Sequence, residues 1–138
     1  MNSLTLCWQA GGQDAEASGR RLQVLVDDQP LTAWVRDYEL ACDYHPFAED
    51  FLLAADVDWY SLTSWQRSAQ GQAARLILLG CRCGDVDCSQ LYADTQLCGD
   101  WVLWRIGGWP QRDYRGLGPF WFEWQAYRQQ VQGALESR

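Results

Sequence analysis

The stretch RLILLGCRCGDVDCSQLYADTQLCGDWVLWRI, residues 75–106, decides the fold. It opens on a continuous apolar run rich in branched side chains, short enough for a buried strand, and passes into the turn-rich tetrad GDVD at 84–87. In the segment that follows, Leu91, Ala93, Thr95 and Leu97 alternate with Gln90, Tyr92, Asp94 and Gln96, the period of two expected where one face of a sheet is covered. Cys98-Gly-Asp then makes a tight connection to WVLWRI at 101–106. The spacing predicts a three-stranded antiparallel meander over about 75–106. Within its last strand Trp101 and Trp104 fall on opposite faces, and both are read as core aromatics rather than as a sugar-stacking platform.

Further along, Trp124, Tyr127, Val131, Ala134 and Leu135 trace one helical stripe among Gln and Arg, so a C-terminal helix packs on the sheet. Towards the N-terminus, LTLCWQ at 4–9 and RLQVLV at 21–26 read as a hairpin around GGQDAEASG. DDQP then turns the chain, and Thr32 caps a helix whose Leu31, Trp34, Val35 and Tyr38 fall three or four apart. Residues 43–73 show no clean period. FAEDFLLAA at 47–55 reads as a helical turn or two inside a long irregular connection. The order of elements gives an α+β arrangement in a single domain, 1–138: an antiparallel sheet, one internal helix and a closing helix.

The run LLGCRCGDVDC, the two strands after it and DYRGLGPFWFEWQAY resemble a family of small, mostly uncharacterised bacterial proteins. These pair a C-x-C-G-x-x-x-C turn with a later Y-x-G-x-G-P-F-x-F motif and a closing helix. The resemblance covers roughly residues 76–135 through Cys81, Cys83, Gly84, Cys88, Tyr114, Gly116, Gly118, Pro119, Phe120 and Phe122. It implies the architecture and no activity. The glycines of YRGLGPF precede a proline and an aromatic run rather than opening a helix after a strand, so they read as a structural close approach leading into a short strand and not as a dinucleotide fingerprint.

All eleven basic residues are Arg, which excludes Schiff-base lysines, lysine general bases and a P-loop lysine. The single histidine, His45, leaves little scope for a catalytic triad or a histidine-rich metal site. A net charge of -7 opposes a nucleic-acid partner. The opening residues lack a cationic start and an apolar core of signal-peptide length, and no run approaches the ~20 apolar residues of a membrane span. A cytoplasmic protein with no membrane partner is expected, in which Cys7, Cys42, Cys81, Cys83, Cys88 and Cys98 are reduced thiols or metal ligands rather than disulfides.

Cys81-x-Cys83 puts two thiols on one side of a strand with Cys88 just across the turn, a partial soft-metal site. Cys98 lies too far along extended chain to complete it, whereas His45, Asp85 or Asp87 supplies a fourth ligand type for zinc. Asp56-x-Asp58 is too short a motif, with no accompanying phosphate cradle, to read as catalytic.

Charge is the stronger signal. Between Asp27 and Asp58 nine acids face the single base Arg36, a net of -8, while residues 101–138 carry a net of +2. Among those acids lie Tyr44, Phe47, Phe51, Trp59, Tyr60 and Trp65. Acids interleaved with aromatic anchors suit fast association with a basic protein. The sequence therefore predicts a non-enzymatic acidic binding protein, an immunity-type inhibitor of a toxin being the form in view, with Asp43, Glu49, Asp50, Asp56, Asp58, Trp59 and Tyr60 meeting the partner. The alternative is a zinc-stabilised module built on Cys81, Cys83 and Cys88.

Overall fold

A computed structural model of the chain describes residues 1–10, 20–44, 52–54, 62–81, 90–109 and 113–137. Two antiparallel sheets enclose the core. The first is β1 (Leu4–Ala10), β2 (Arg20–Val26) and β3 (Gln29–Pro30); the second is β4 (Leu52–Ala54), β5 (Ala74–Cys81), β6 (Gln90–Cys98), β7 (Trp101–Trp109) and β8 (Phe120–Glu123), in that order across the sheet. Helices α1 (Leu31–Ala41), α2 (Leu62–Ala69) and α3 (Trp124–Glu136) complete the α+β fold.

The meander is present as β5–β6–β7, with Gln90 to Cys98 running against Trp109 to Trp101 without interruption. Along β6, Leu91, Ala93 and Thr95 are buried between partly exposed neighbours, so the period of two does set the faces. The apolar run of β5 is accommodated by a bulge between Ile77 and Leu79, which lets Leu78 and Leu79 both be buried. Inward-facing Val102, Trp104 and Ile106 of β7 and Phe120 and Phe122 of β8 form the floor of the core.

All three helices pack on that floor. Trp34 of α1 meets Phe120 edge-on at 5.4 Å, Trp65 of α2 meets Trp104 at 5.9 Å, and Tyr127 of α3 meets Trp104 at 6.1 Å. The stripe expected of α3 is the one observed: Tyr127, Val131 and Ala134 are buried, with Trp124 and Leu135 packed at the margin. Glu123 caps the helix by accepting from the backbone N–H groups of Gln125 and Ala126. On its other side α3 covers the outer edge of β1: Gln130 accepts from the Leu6 N–H, and the Trp8 indole donates to the Ala134 carbonyl. Asn2 ties the two sheets together, exchanging bonds with Trp121 and donating to Asp27.

Four local expectations are corrected. Thr32 is not the cap of α1; the cap lies two residues earlier at Pro30, with no side-chain cap, and the fixed proline φ delivers Leu31 directly to the core. Leu52–Ala54, expected to be helical, pairs with Leu79–Cys81 as an edge strand. The irregular connection contains α2, whose inner side is Trp65, Ser68 and Ala69; small residues at two of those positions hide its period. Trp101 is exposed rather than core.

At the centre, the Trp104 indole donates to the Tyr127 hydroxyl (3.2 Å), Tyr127 donates to Ser68 (3.1 Å), and Ser68 donates to the Trp65 carbonyl (2.8 Å). Burial pushes the Tyr127 phenol up to about 12 against those two side-chain bonds. Tyr127→Phe should therefore cost about 1–3 kcal/mol in denaturant titration, since the indole loses its acceptor. Because the unfolded phenol ionises near the ordinary tyrosine value of 10.0 and the folded one near about 12, the stability Tyr127 confers should be full below pH 10 and lost as pH rises through 12. Chemical unfolding followed across that window, with Tyr127→Phe showing a flatter decline, checks the sign.

Candidate functional site

The acidic stretch enters the described structure along α1 and at its two ends. Leu31 and Val35 face the core, and so does Glu39, whose side chain is 0% exposed. Its carboxylate accepts from the Tyr114 hydroxyl at 3.0 Å. Glu39, counted as part of a surface charge by sequence, is thus a buried anchor between α1 and the loop leading to β8. Tyr38 reinforces it by donating to the Asp113 carbonyl at 2.6 Å and by stacking obliquely on Tyr114 at 5.8 Å. Partial burial, with the Cys42 thiol next, raises the Tyr38 phenol above its usual range. The glycines of the loop serve this contact: a Cβ on Gly116 would lie 3.0 Å from the Tyr38 hydroxyl oxygen, and Gly118 has φ +91. Exposed Asp113 and Arg115 pair at 3.0 Å, which holds the Asp113 carboxyl below its ordinary value.

The end of α1 is closed by a Schellman arrangement. Asp43 N–H donates to the Leu40 carbonyl and Tyr44 N–H to the Glu39 carbonyl, with Asp43 at φ 62 in the position that glycine usually fills. Tyr44 then packs against Tyr114 at 6.4 Å. What remains outside is Arg36, Asp37, Leu40, Ala41, Cys42 and Asp43, all exposed. Leu40 is 57% exposed, an apolar side chain one helical turn from Asp37 and three residues before Asp43.

The other end of α1 carries Asp27 and Asp28, both at positive φ in the two-residue turn between β2 and β3, as a type I′ hairpin requires. Asp27 is occupied structurally: its carboxylate accepts from Asn2 and from the Ser3 N–H. Asp28 is exposed.

Of the residues expected to meet a partner, Asp43 is exposed, whereas Glu49, Asp50, Asp56, Asp58, Trp59 and Tyr60 lie outside the described residues. Two of the interleaved aromatics are not surface anchors: Trp65 is core and Tyr44 is half-buried. Of the expected metal ligands, Cys81 is placed only as the end of β5, opposite Leu52; Cys83, Cys88 and His45, with Asp85 and Asp87, lie outside the described residues. Cys98 closes the far end of β6 from the Gln90–Gly80 pair beside Cys81, which keeps it out of any site there. Cys7, Cys42 and Cys98 carry no disulfide. Among the described residues no three His, Cys, Asp or Glu side chains converge on a metal-sized point. A groove of about 370 Å³ runs between residues 1–4 and the first turns of α3. Its one carboxylate, Glu123, is already spent on the helix cap. No helix among the described residues is long and apolar enough to cross a membrane.

No family model, curated protein or solved structure compared with the chain matches it, so the resemblance described above rests on its own motifs.

The buried tyrosine–carboxylate bond is the part of the site that sequence reasoning missed. Its signal was the polar Glu39 at the same helical spacing as Leu31 and Val35. Tyr114→Phe should destabilise the domain by about 1–3 kcal/mol, because it withdraws a donor from a buried carboxylate. Amide exchange should accelerate first in residues 38–44, with β6 and β7 protected as before; uniform acceleration would deny Tyr114 its role as the anchor of α1.

Proposed function

We propose that this protein is a non-enzymatic acidic binding protein of the cytoplasm that docks on a basic protein, in the manner of an immunity-type inhibitor covering the cationic surface of a toxin. The observation that carries the reading is the outer side of α1, where exposed Leu40 stands between Asp37 and Asp43 on a helix fixed from beneath by Glu39 and Tyr114. Exposed Arg36 is also one turn from Leu40, so the rim is mixed in sign with the two acids in excess, and an apolar anchor within a charged rim on a rigid support is the pattern of an interface centre. The sequence around it is strongly acidic, a net of -8 between Asp27 and Asp58 of which Glu39 is turned inward, and this reading assigns the remainder to the same field.

Backbone strain supports the reading too. Asp28 and Asp43 occupy left-handed positions where glycine would carry no Cβ penalty. Acids kept where the local backbone favours glycine are explained by what the carboxylates do outside the fold. In this reading Glu49, Asp50, Asp56 and Asp58 add to the steering field, and Trp59 and Tyr60 add anchors.

The test begins with the partner captured from cells of the source and identified by mass spectrometry. Its association rate should fall at least about tenfold between about 50 and 500 mM salt. Asp37→Lys with Asp43→Lys, and separately Asp56→Lys with Asp58→Lys, should slow association to a similar degree in folded protein. Asp28→Gly and Asp43→Gly should raise stability by up to ~1 kcal/mol each while weakening capture. Association indifferent to salt and to both charge reversals would refute the proposal.

A further inference from the structure

All three helices lie on one face of the five-stranded sheet, the face of Trp104, Phe120 and Phe122. The register assigns the opposite face to Arg75 of β5, Tyr92, Asp94 and Gln96 of β6, Trp101, Leu103 and Arg105 of β7, and Trp121 of β8. Trp101 is 37% and Trp121 39% exposed; they are diagonal neighbours, since Leu103 pairs with Trp121 and Trp101 with Glu123. Leu103 between them is only 4% exposed. Beyond this pair Tyr92 lies across Gly107, filling the place a Cβ there would take, and the Arg75 guanidinium stacks on Tyr92 at 4.0 Å.

We propose that this outer face pairs with the same face of a second copy of the chain. Charge and area both favour that occupant. The face holds Arg75 and Arg105 against Asp94 and Glu123, a formal charge of zero on a chain of net charge -7. Two copies brought together here keep the exposed acids of α1 apart. Arg75 is already bound to Asp94 at 2.7 and 3.0 Å, whereas Arg105 has no ion pair among the described residues and is the cation of this face left for a contact with the other copy. Strands β5 to β8, of eight, nine, nine and four residues, make a face of about 500 Å² at about 3.3 Å per residue and about 4.8 Å between strands. A pair of such faces buries about 1,000 Å², the lower limit of a specific and reversible interface. Tryptophan and arginine at its centre are the residue types that interfaces concentrate. The pairing leaves α1 free, so it is independent of the binding role proposed above.

Sedimentation equilibrium on the full chain, from about 1 to about 300 µM, tests it. A monomer–dimer equilibrium with a micromolar dissociation constant is expected, weakened at least about tenfold by Trp121→Glu and by Arg105→Glu and unchanged by Gln132→Glu on the exposed side of α3. Arg105→Glu changes an exposed side chain, so it remains informative where Trp121→Glu fails to fold. A monomer at all concentrations would overturn the proposal, as would a dimer that both variants leave intact.

Discussion

Trp104 is the residue on which the arrangement depends. It touches Trp65, Phe122 and Tyr127, and so joins α2, β8 and α3 at one point on β7. An indole is a large apolar body with one N–H, and burying it completely requires an acceptor for that group. Tyr127 supplies the acceptor and passes the requirement to Ser68, which discharges it on a carbonyl of its own helix. The relay runs in one direction and ends satisfied, which is why polar atoms are tolerated at the densest part of the core. It also accounts for a serine on the inner side of α2: a larger apolar residue there would leave the Tyr127 proton without a partner.

With the helices committed to the Trp104 face, the two remaining surfaces have different characters. The described outer face of the five-stranded sheet balances Arg75 and Arg105 against Asp94 and Glu123 and carries Tyr92, Trp101 and Trp121. The end of the molecule around α1 is acidic, and its charge is sorted by function within a few residues: Glu39 points inward to Tyr114, Asp27 holds the N-terminal segment, and Asp28, Asp37 and Asp43 stay in water. A run of acids read as one electrostatic object is thus divided by helical and turn geometry into structural and solvent-facing members.

The meander and the C-terminal helix were legible because burial on one side of each imposes a period that the sequence must keep: alternation in 90–97, and three-or-four spacing from Trp124 to Leu135. The strand at 52–54 was not, since a three-residue edge strand gains its identity from pairing with β5 and has no room for a period. Helix α2 escaped for a related reason: its inner side is defined by Trp65 alone among large residues, with Ser68 placed there by the hydroxyl relay. The glycines of YRGLGPF were correctly read as a close approach, but what approaches, Tyr38, lies in α1 and is visible only in three dimensions. Glu39 was misread because a carboxylate on a helix is ordinarily solvated, and the bond from the distant Tyr114 that favours its burial is invisible in the sequence. Trp101 and Trp104 were read as lying on opposite faces of one strand and both as core; the faces are as read, but the helices cover the Trp104 face and Trp101 is exposed on the other.

The strained positions bear on how the acidic end came to be as it is. A two-residue hairpin turn and a Schellman cap both demand left-handed backbone, and both accept glycine with least penalty. Here the hairpin uses two aspartates and the cap a third. For Asp27 the fold itself supplies a reason, in the bonds to Asn2 and Ser3 that clasp the two sheets. Among the described residues no such bond involves Asp28, and Asp43 contributes to the cap through its backbone alone. Aspartate is one of the few residues that enters the left-handed region at modest cost, so both turns close without glycine and leave two exposed carboxylates at the ends of α1.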